Sequence, residues 1–165
     1  MDARRIVKHL GVTHWHVRRA FPRSALAAIA TAIERSERAH GGQLRFAVEG
    51  ALHGERLIHG QSPHERAVEV FSNLRMWDTE HRNGVLIYLL LADRAIEIVA
   101  DRGAHLKVGS QEWQRICGEM QAHLRARRYQ AAVEHGIDAV TRHLAQHFPP
   151  SETPSRELPD SPVVL

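Results

Sequence analysis

Thr79-Glu80-His81-Arg82-Asn83-Gly84-Val85-Leu86-Ile87-Tyr88-Leu89-Leu90-Leu91-Ala92-Asp93-Arg94-Ala95-Ile96-Glu97-Ile98-Val99-Ala100-Asp101 is the stretch from which the architecture can be read. Val85 to Leu91 is an unbroken apolar and aromatic run, too short for an ordinary helix and bounded by the turn-forming pairs Asn83-Gly84 and Asp93-Arg94. Such a run reads as a strand buried on both faces. Ala95 to Ala100 follows too closely for a crossover, so it pairs with the first strand as an antiparallel hairpin.

Upstream, Ser24 is positioned to cap a helix whose apolar residues Leu26, Ile29, Ala30 and Ile33 share one face, and Gly41-Gly42 ends it. Gln43 to Leu52 alternates as a strand, with Leu44, Phe46 and Val48 on one side and Arg45, Ala47 and Glu49 on the other. Ser62-Pro63-His64-Glu65 then carries a capping box with proline at the first helical position, and Ala67, Val70, Phe71 and Leu74 form the buried stripe. A strand, helix, strand connection makes its two strands parallel. The hairpin partner is antiparallel, so the sheet is mixed.

Downstream, Ser110 is positioned to cap a helix bearing Trp113, Ile116, Cys117, Met120 and Leu124, and Tyr129, Val133, Ile137, Val140 and Leu144 mark a last helix ending near Phe148. The expected fold is α/β: a mixed three- to four-stranded sheet with helices on both faces, an α-β-α sandwich. Residues 1–23 read as a basic amphipathic arm made of a short helix and an extended piece, 24–148 as the domain, and 149–165 as a disordered tail. The tail holds five of the chain's seven prolines.

The chain has 165 residues and is 43% hydrophobic, which suits one domain with a real core. A single cysteine, Cys117, excludes an intramolecular disulfide and falls on a helix's apolar stripe, so it reads as a buried structural thiol. No apolar run approaches the roughly 20 residues that cross a bilayer, and the N-terminus lacks a signal-peptide core, so a cytoplasmic location is expected. Net charge is +3, carried almost wholly by arginine, with Lys8 and Lys107 the only lysines. The resulting pI of about 9.6 is weak support for a nucleic-acid partner. Thirteen histidines would make the protein more cationic near pH 6.

Hairpin geometry locates a candidate site. Facing residue numbers should sum to about 186, which sets Gly84 opposite Asp101-Arg102, with Gln43 at the same sheet end because its strand is parallel to the central one. Asp78 and Glu80 lie just before the turn. Gln43, Asp78, Glu80, Asn83 and Asp101 thus form an oxygen-rich set beside Gly84, suited to calcium or magnesium rather than zinc. The competing interpretation is a group of solvated turn residues in which Asp101 pairs with Arg82 or Arg102. Asp93, at the other end, reads as a turn residue. His143 with His147, and His14-Trp15-His16, have metal-like spacing but no further ligands beside them. Arg125, Arg127 and Arg128 read as a solvated helix end. No G-x-S-x-G elbow, phosphate loop or paired-cysteine site is present.

Arg82-Asn83-Gly84-Val85-Leu86-Ile87-Tyr88, then Asp93-Arg94, then Ile98 through Asp101-Arg102-Gly103, resembles the TPM domain family. The likeness continues through Trp113 and Met120, Arg127 to Tyr129 and Gly136, and spans roughly Ser24 to Phe148. It implies divalent-ion binding and phosphatase activity at an acidic site. Where the family usually has Glu opening the first strand, this chain has Gln43, which weakens a hard-cation site, as does Arg82 nearby. The expected function is therefore a TPM-like interaction or assembly module, reaching a protein partner or anionic surface through the acidic sheet end or the basic arm. The alternative is a metal-dependent phosphatase with Asp101 and Asp78 on the ion and Arg82 neutralising developing charge. A third possibility is nucleic-acid binding through Trp15, Arg18 and Arg19.

Overall fold

The computed structural model describes residues 3–150 and 158–165. Its sheet contains β1 (Gln43–Glu49), β2 (Gly84–Leu90), β3 (Ala95–Ala100) and β4 (Val163–Val164) in the order β3-β2-β1-β4. β1 and β2 are parallel, with Gln43 level with Gly84 and Glu49 level with Leu90. β2 and β3 are antiparallel, with Val85 opposite Ala100. Gly84 therefore faces Asp101, within the expected Asp101-Arg102 pair, and its carbonyl accepts the Asp101 N–H at 2.8 Å. β1 ends at Glu49, short of the expected Leu52, although Ala51 and Leu52 stay buried.

Every residue of β1 and β2 is buried because helices cover both faces. α1 (Ala3–Gly11), α2 (His14–Ala20) and α3 (Arg23–Glu37) precede the sheet, and α4 (Glu55–Ile58) and α5 (Pro63–Asn73) connect β1 to β2. α6 (Arg102–Val108), α7 (Ser110–Arg125) and α8 (Tyr129–His147) follow β3. One core joins Phe46, Ile87 and Ile98 of the sheet to Ile29 and Ile33 of α3, Met120 of α7 and Val140 of α8. The other packs Leu86, Tyr88 and Leu90 against Leu57 of α4 and Ala67, Val70 and Phe71 of α5. The alternating sides follow from the period of two along each strand.

The capping box opens α5 as the sequence implies: the Ser62 hydroxyl accepts the Glu65 N–H at 3.2 Å, and Glu65 accepts the Ser62 N–H at 2.7 Å. Two other starts differ. Pro22, not Ser24, occupies the cap of α3, and Gly109 occupies the cap of α7, with Ser110 the first residue inside. The cause in the second case is α6, a short helix with no clear apolar period, which places Gly109 at a left-handed φ of 88° between two helices.

The arm also departs from expectation. Both its pieces are helical, and Val17 and Phe21 enter the same core as Phe46, so residue 23 is not a packing boundary. The tail departs further. Residues 151–157 lie outside the described residues, but beyond them Val163 and Val164 pair in parallel with Ala47 and Val48, so the expected disorder does not extend to this end. The edge of β1 offers unpaired backbone groups, and a short valine pair suits that edge. No helix among the described residues is long and apolar enough to cross a membrane.

Candidate functional site

The two ends of the sheet are built differently. At the end where β1 and β2 start, the register does bring Gln43, Asn83 and Asp101 together. What each side chain does there is largely structural. Gln43 is buried, and its Oε1 accepts the Leu158 N–H at 3.1 Å, tying the tail to the sheet. Asn83 is buried, and its Nδ2 donates to the Gly41 carbonyl at 3.0 Å. Asp101 caps α6, with Oδ1 accepting the Arg102 N–H at 2.7 Å. Among the described residues Asp101 forms no ion pair with Arg82 or Arg102, and its buried Oδ2 has no hydrogen-bond partner.

Asp78, Glu80 and Arg82 are exposed on the preceding loop. That loop closes the space that Gly84 was expected to leave open. A Cβ on Gly84 would stand 2.1 Å from the Met76 carbonyl oxygen, and one on Gly103 would stand 2.6 Å from that of Arg82. Both glycines serve backbone-to-backbone packing rather than ligand approach. Among the described residues no three His, Cys, Asp or Glu side chains stand close enough to hold a metal ion. Calcium takes about six to eight oxygens, and in this set the Gln43 oxygen already accepts one hydrogen bond. Magnesium asks for only one or two carboxylates and keeps water, and the free Asp101 oxygen is compatible with that demand.

The opposite end, beyond the C-terminal ends of the parallel strands, holds a cavity of about 1270 Å³. Ligands of open α/β sheets commonly bind outside that end. Three segments enclose it: the arm, the β2–β3 turn and the α7–α8 junction. Asp93 fastens the first to the second. Its Oδ2 accepts from Arg5 Nη2 at 2.8 Å and Nε at 3.0 Å. His9 is buried, with Nδ1 accepting the Leu52 N–H at 2.9 Å, so the proton sits on Nε2 and goes to Asp93 Oδ1 at 3.0 Å. Burial of Asp93 opposes its ionisation, but the hydrogen bonds from Arg5 and His9 prevail and hold its carboxyl below the usual range. Asp93 is in the turn, as its sequence context suggested, and it is also the latch of the arm.

Lys8, Arg19, Arg94, Arg127 and Arg128 all line this cavity. Arg19 lies over the Trp15 ring at 5.3 Å. Among the described residues none of the five forms an ion pair with an acidic side chain. Arg127 and Arg128, which the sequence presents as a helix end, thus share a wall with the arm. Nothing in the local pattern announces this, because Lys8 and Arg128 are far apart in the chain.

Of the remaining histidine candidates, His143 and His16 have ring-nitrogen partners, and His147 takes part through its backbone carbonyl. His143 Nε2 meets Glu112 at 2.8 Å across α7 and α8, His147 offers its carbonyl to Lys107 at 3.4 Å, and His16 Nδ1 accepts the Thr13 N–H at 3.2 Å. Burial pushes the Cys117 thiol up to about 11, reinforced by Glu97, which fits a structural rather than reactive cysteine. Sequence reasoning missed a buried charge network: Arg66 Nε donates to Glu49 Oε2 at 2.8 Å, and Tyr88 donates its hydroxyl to the same oxygen at 2.7 Å.

Comparison with known proteins adds family and fold. A family model described as the TPM domain matches residues 18–143. The NMR structure of the BA42 protein from the psychrophilic bacterium Bizionia argentinensis superposes with a TM-score of 0.74 at 27% identity, covering 86% of this chain and 93% of that one. The N-terminal domain of a P. gingivalis protein shares the fold alone, with a TM-score of 0.57 and 16% identity over 74% of this chain and 76% of that one. No curated protein matches.

Proposed function

The chain belongs to the TPM domain family, and from that premise we propose that it acts as an interaction module whose anionic partner docks in the cavity beside the arm. One observation carries this reading: five cationic side chains converge on a single cavity without acidic partners among the described residues. The two carboxylates there are already engaged, Asp93 by Arg5 and His9, and Glu134 by Gln130 Nε2 at 2.8 Å. Five cations against these two carboxylates leave an excess of positive charge that favours an incoming anion.

Deleting residues 1 to 21 would not test this, since Val17 and Phe21 belong to the core. Charge reversal does. Labelled poly-L-glutamate should bind the full chain with an affinity that falls with salt, and Arg127→Glu with Arg128→Glu should weaken binding about tenfold or more at unchanged thermal stability. Binding untouched by the double reversal would end the proposal.

A magnesium-dependent phosphatase is the second reading, favoured by the buried, unpartnered Oδ2 of Asp101. A bound ion would neutralise phosphoryl charge, with Asp101 holding it and the exposed Asp78 and Arg82 on the adjoining loop. Asp101→Asn keeps the cap of α6 while removing the charge. Magnesium-dependent hydrolysis of an aryl phosphate that disappears in this variant would support the reading, whereas no turnover in the unmodified chain would reject it.

A further inference from the structure

We infer that the cavity takes a short acidic peptide segment carrying one apolar side chain; this rests on the interaction reading above and gives its anionic partner a definite chemistry. Two kinds of surface meet there. The first is cationic, supplied by the arm, the β2–β3 turn and the α7–α8 junction from three directions. The second is apolar. Val7, Val12 and Leu91 contribute aliphatic wall, and Trp15 and Tyr129 contribute rings.

Two of these apolar residues are unusually bare. Val7 is 69% exposed and Trp15 is 59% exposed, although the same arm buries His9, Val17 and Phe21 on its inner side. The arm thus shows one apolar side to the core and another to the cavity. Large exposed apolar groups bordered by charge mark contact surfaces.

The mixture selects among anions. Single-stranded nucleic acid would use the cations and stack its bases on Trp15 and Tyr129, but beyond the thymine methyl it carries no aliphatic group to set against Val7, Val12 and Leu91. A free small anion would use the cations but leave the apolar wall bare. An extended peptide with Asp or Glu on either side of a Phe or Leu satisfies both: its carboxylates meet the arginines while its apolar side chain lies between the arm and Tyr129. Aromatic and arginine residues are also the types that most often anchor protein interfaces.

The test compares three fluorescent probes of equal charge on the full chain by anisotropy: a glutamate peptide with a central phenylalanine, the same peptide with glycine there, and an oligothymidylate. The phenylalanine peptide should bind about tenfold more tightly than the glycine peptide. Trp15→Ala, at an exposed position, should abolish that advantage without changing thermal unfolding. Equal affinity for the two peptides, both lost on reversing Arg127 and Arg128, would overturn this inference and leave the broader interaction reading intact. Tighter binding of the oligothymidylate than of either peptide would overturn it in favour of nucleic acid. No binding of any probe would overturn both.

Discussion

His40 engages both ring nitrogens in the turn between α3 and β1. Its Nδ1 accepts the Gly42 N–H at 3.1 Å, so Nε2 carries the proton and donates to Ser36 Oγ at 2.9 Å. Ser36 in turn meets Thr141 Oγ1 at 2.6 Å, and Thr141 donates to the Ile137 carbonyl at 2.6 Å, linking α3 to α8 by an unbroken chain of hydrogen bonds. Burial lowers the His40 pKa from 6.5 to about 4. The unfolded chain therefore takes up this proton first. Its contribution is present above 6.5 and is lost as pH falls through 4, about 3 kcal/mol in all. Urea unfolding at neutral and mildly acidic pH should show that loss in the unmodified protein, and His40→Gln should flatten this part of the profile. Asp101 shows why single residues are hard to read from sequence. A carboxylate in an Asp-Arg-Gly turn can be a ligand or a cap, and only the course of α6 shows that one of its oxygens caps a helix while the other stays free.

Between elements, the Glu49, Arg66 and Tyr88 network joins β1, α5 and β2 on one face of the sheet. Arg66 also reaches Glu69 at 2.8 Å, so its guanidinium is shared by two carboxylates while almost fully buried. Burial and then the Glu49 contact push the Tyr88 hydroxyl pKa upward, keeping it a donor. Such a network is stabilising only while complete, because an orphaned buried charge is expensive. Arg66→Met should therefore destabilise by about 3–5 kcal/mol in chemical denaturation. Adding Glu49→Gln should recover a large part of that loss. Simple additivity of the two changes would show that the ions do not depend on each other. The period of two placed Glu49 opposite the apolar face of β1, but its partner is a helix residue with no sequence mark of that role.

The whole molecule depends on its arm more than a basic, irregular N-terminus suggests. Val17 and Phe21 lie in the core with Phe46, and Arg5 and His9 lock to Asp93 across most of the domain's sequence length. Each large core side chain removed costs about 2–5 kcal/mol against a total of about 5–15 kcal/mol. A chain beginning at Arg23 should lose half or more of its stability, seen as a broadened or absent thermal transition by circular dichroism. A sharp transition at the original temperature would show that the arm is dispensable. What the sequence determined by itself was local and periodic: the buried run of β2, its hairpin with β3, the parallel pairing with β1 and the capped start of α5. Apolar spacing and turn chemistry act over a few residues and leave their mark there. The tertiary structure alone decided which groups meet across the chain: the Met76–Arg82 loop pressed onto Gly84 and Gly103, the tail returning as β4, and Arg127 and Arg128 facing the arm. Those contacts depend on how whole faces pack, which no nearby spacing records.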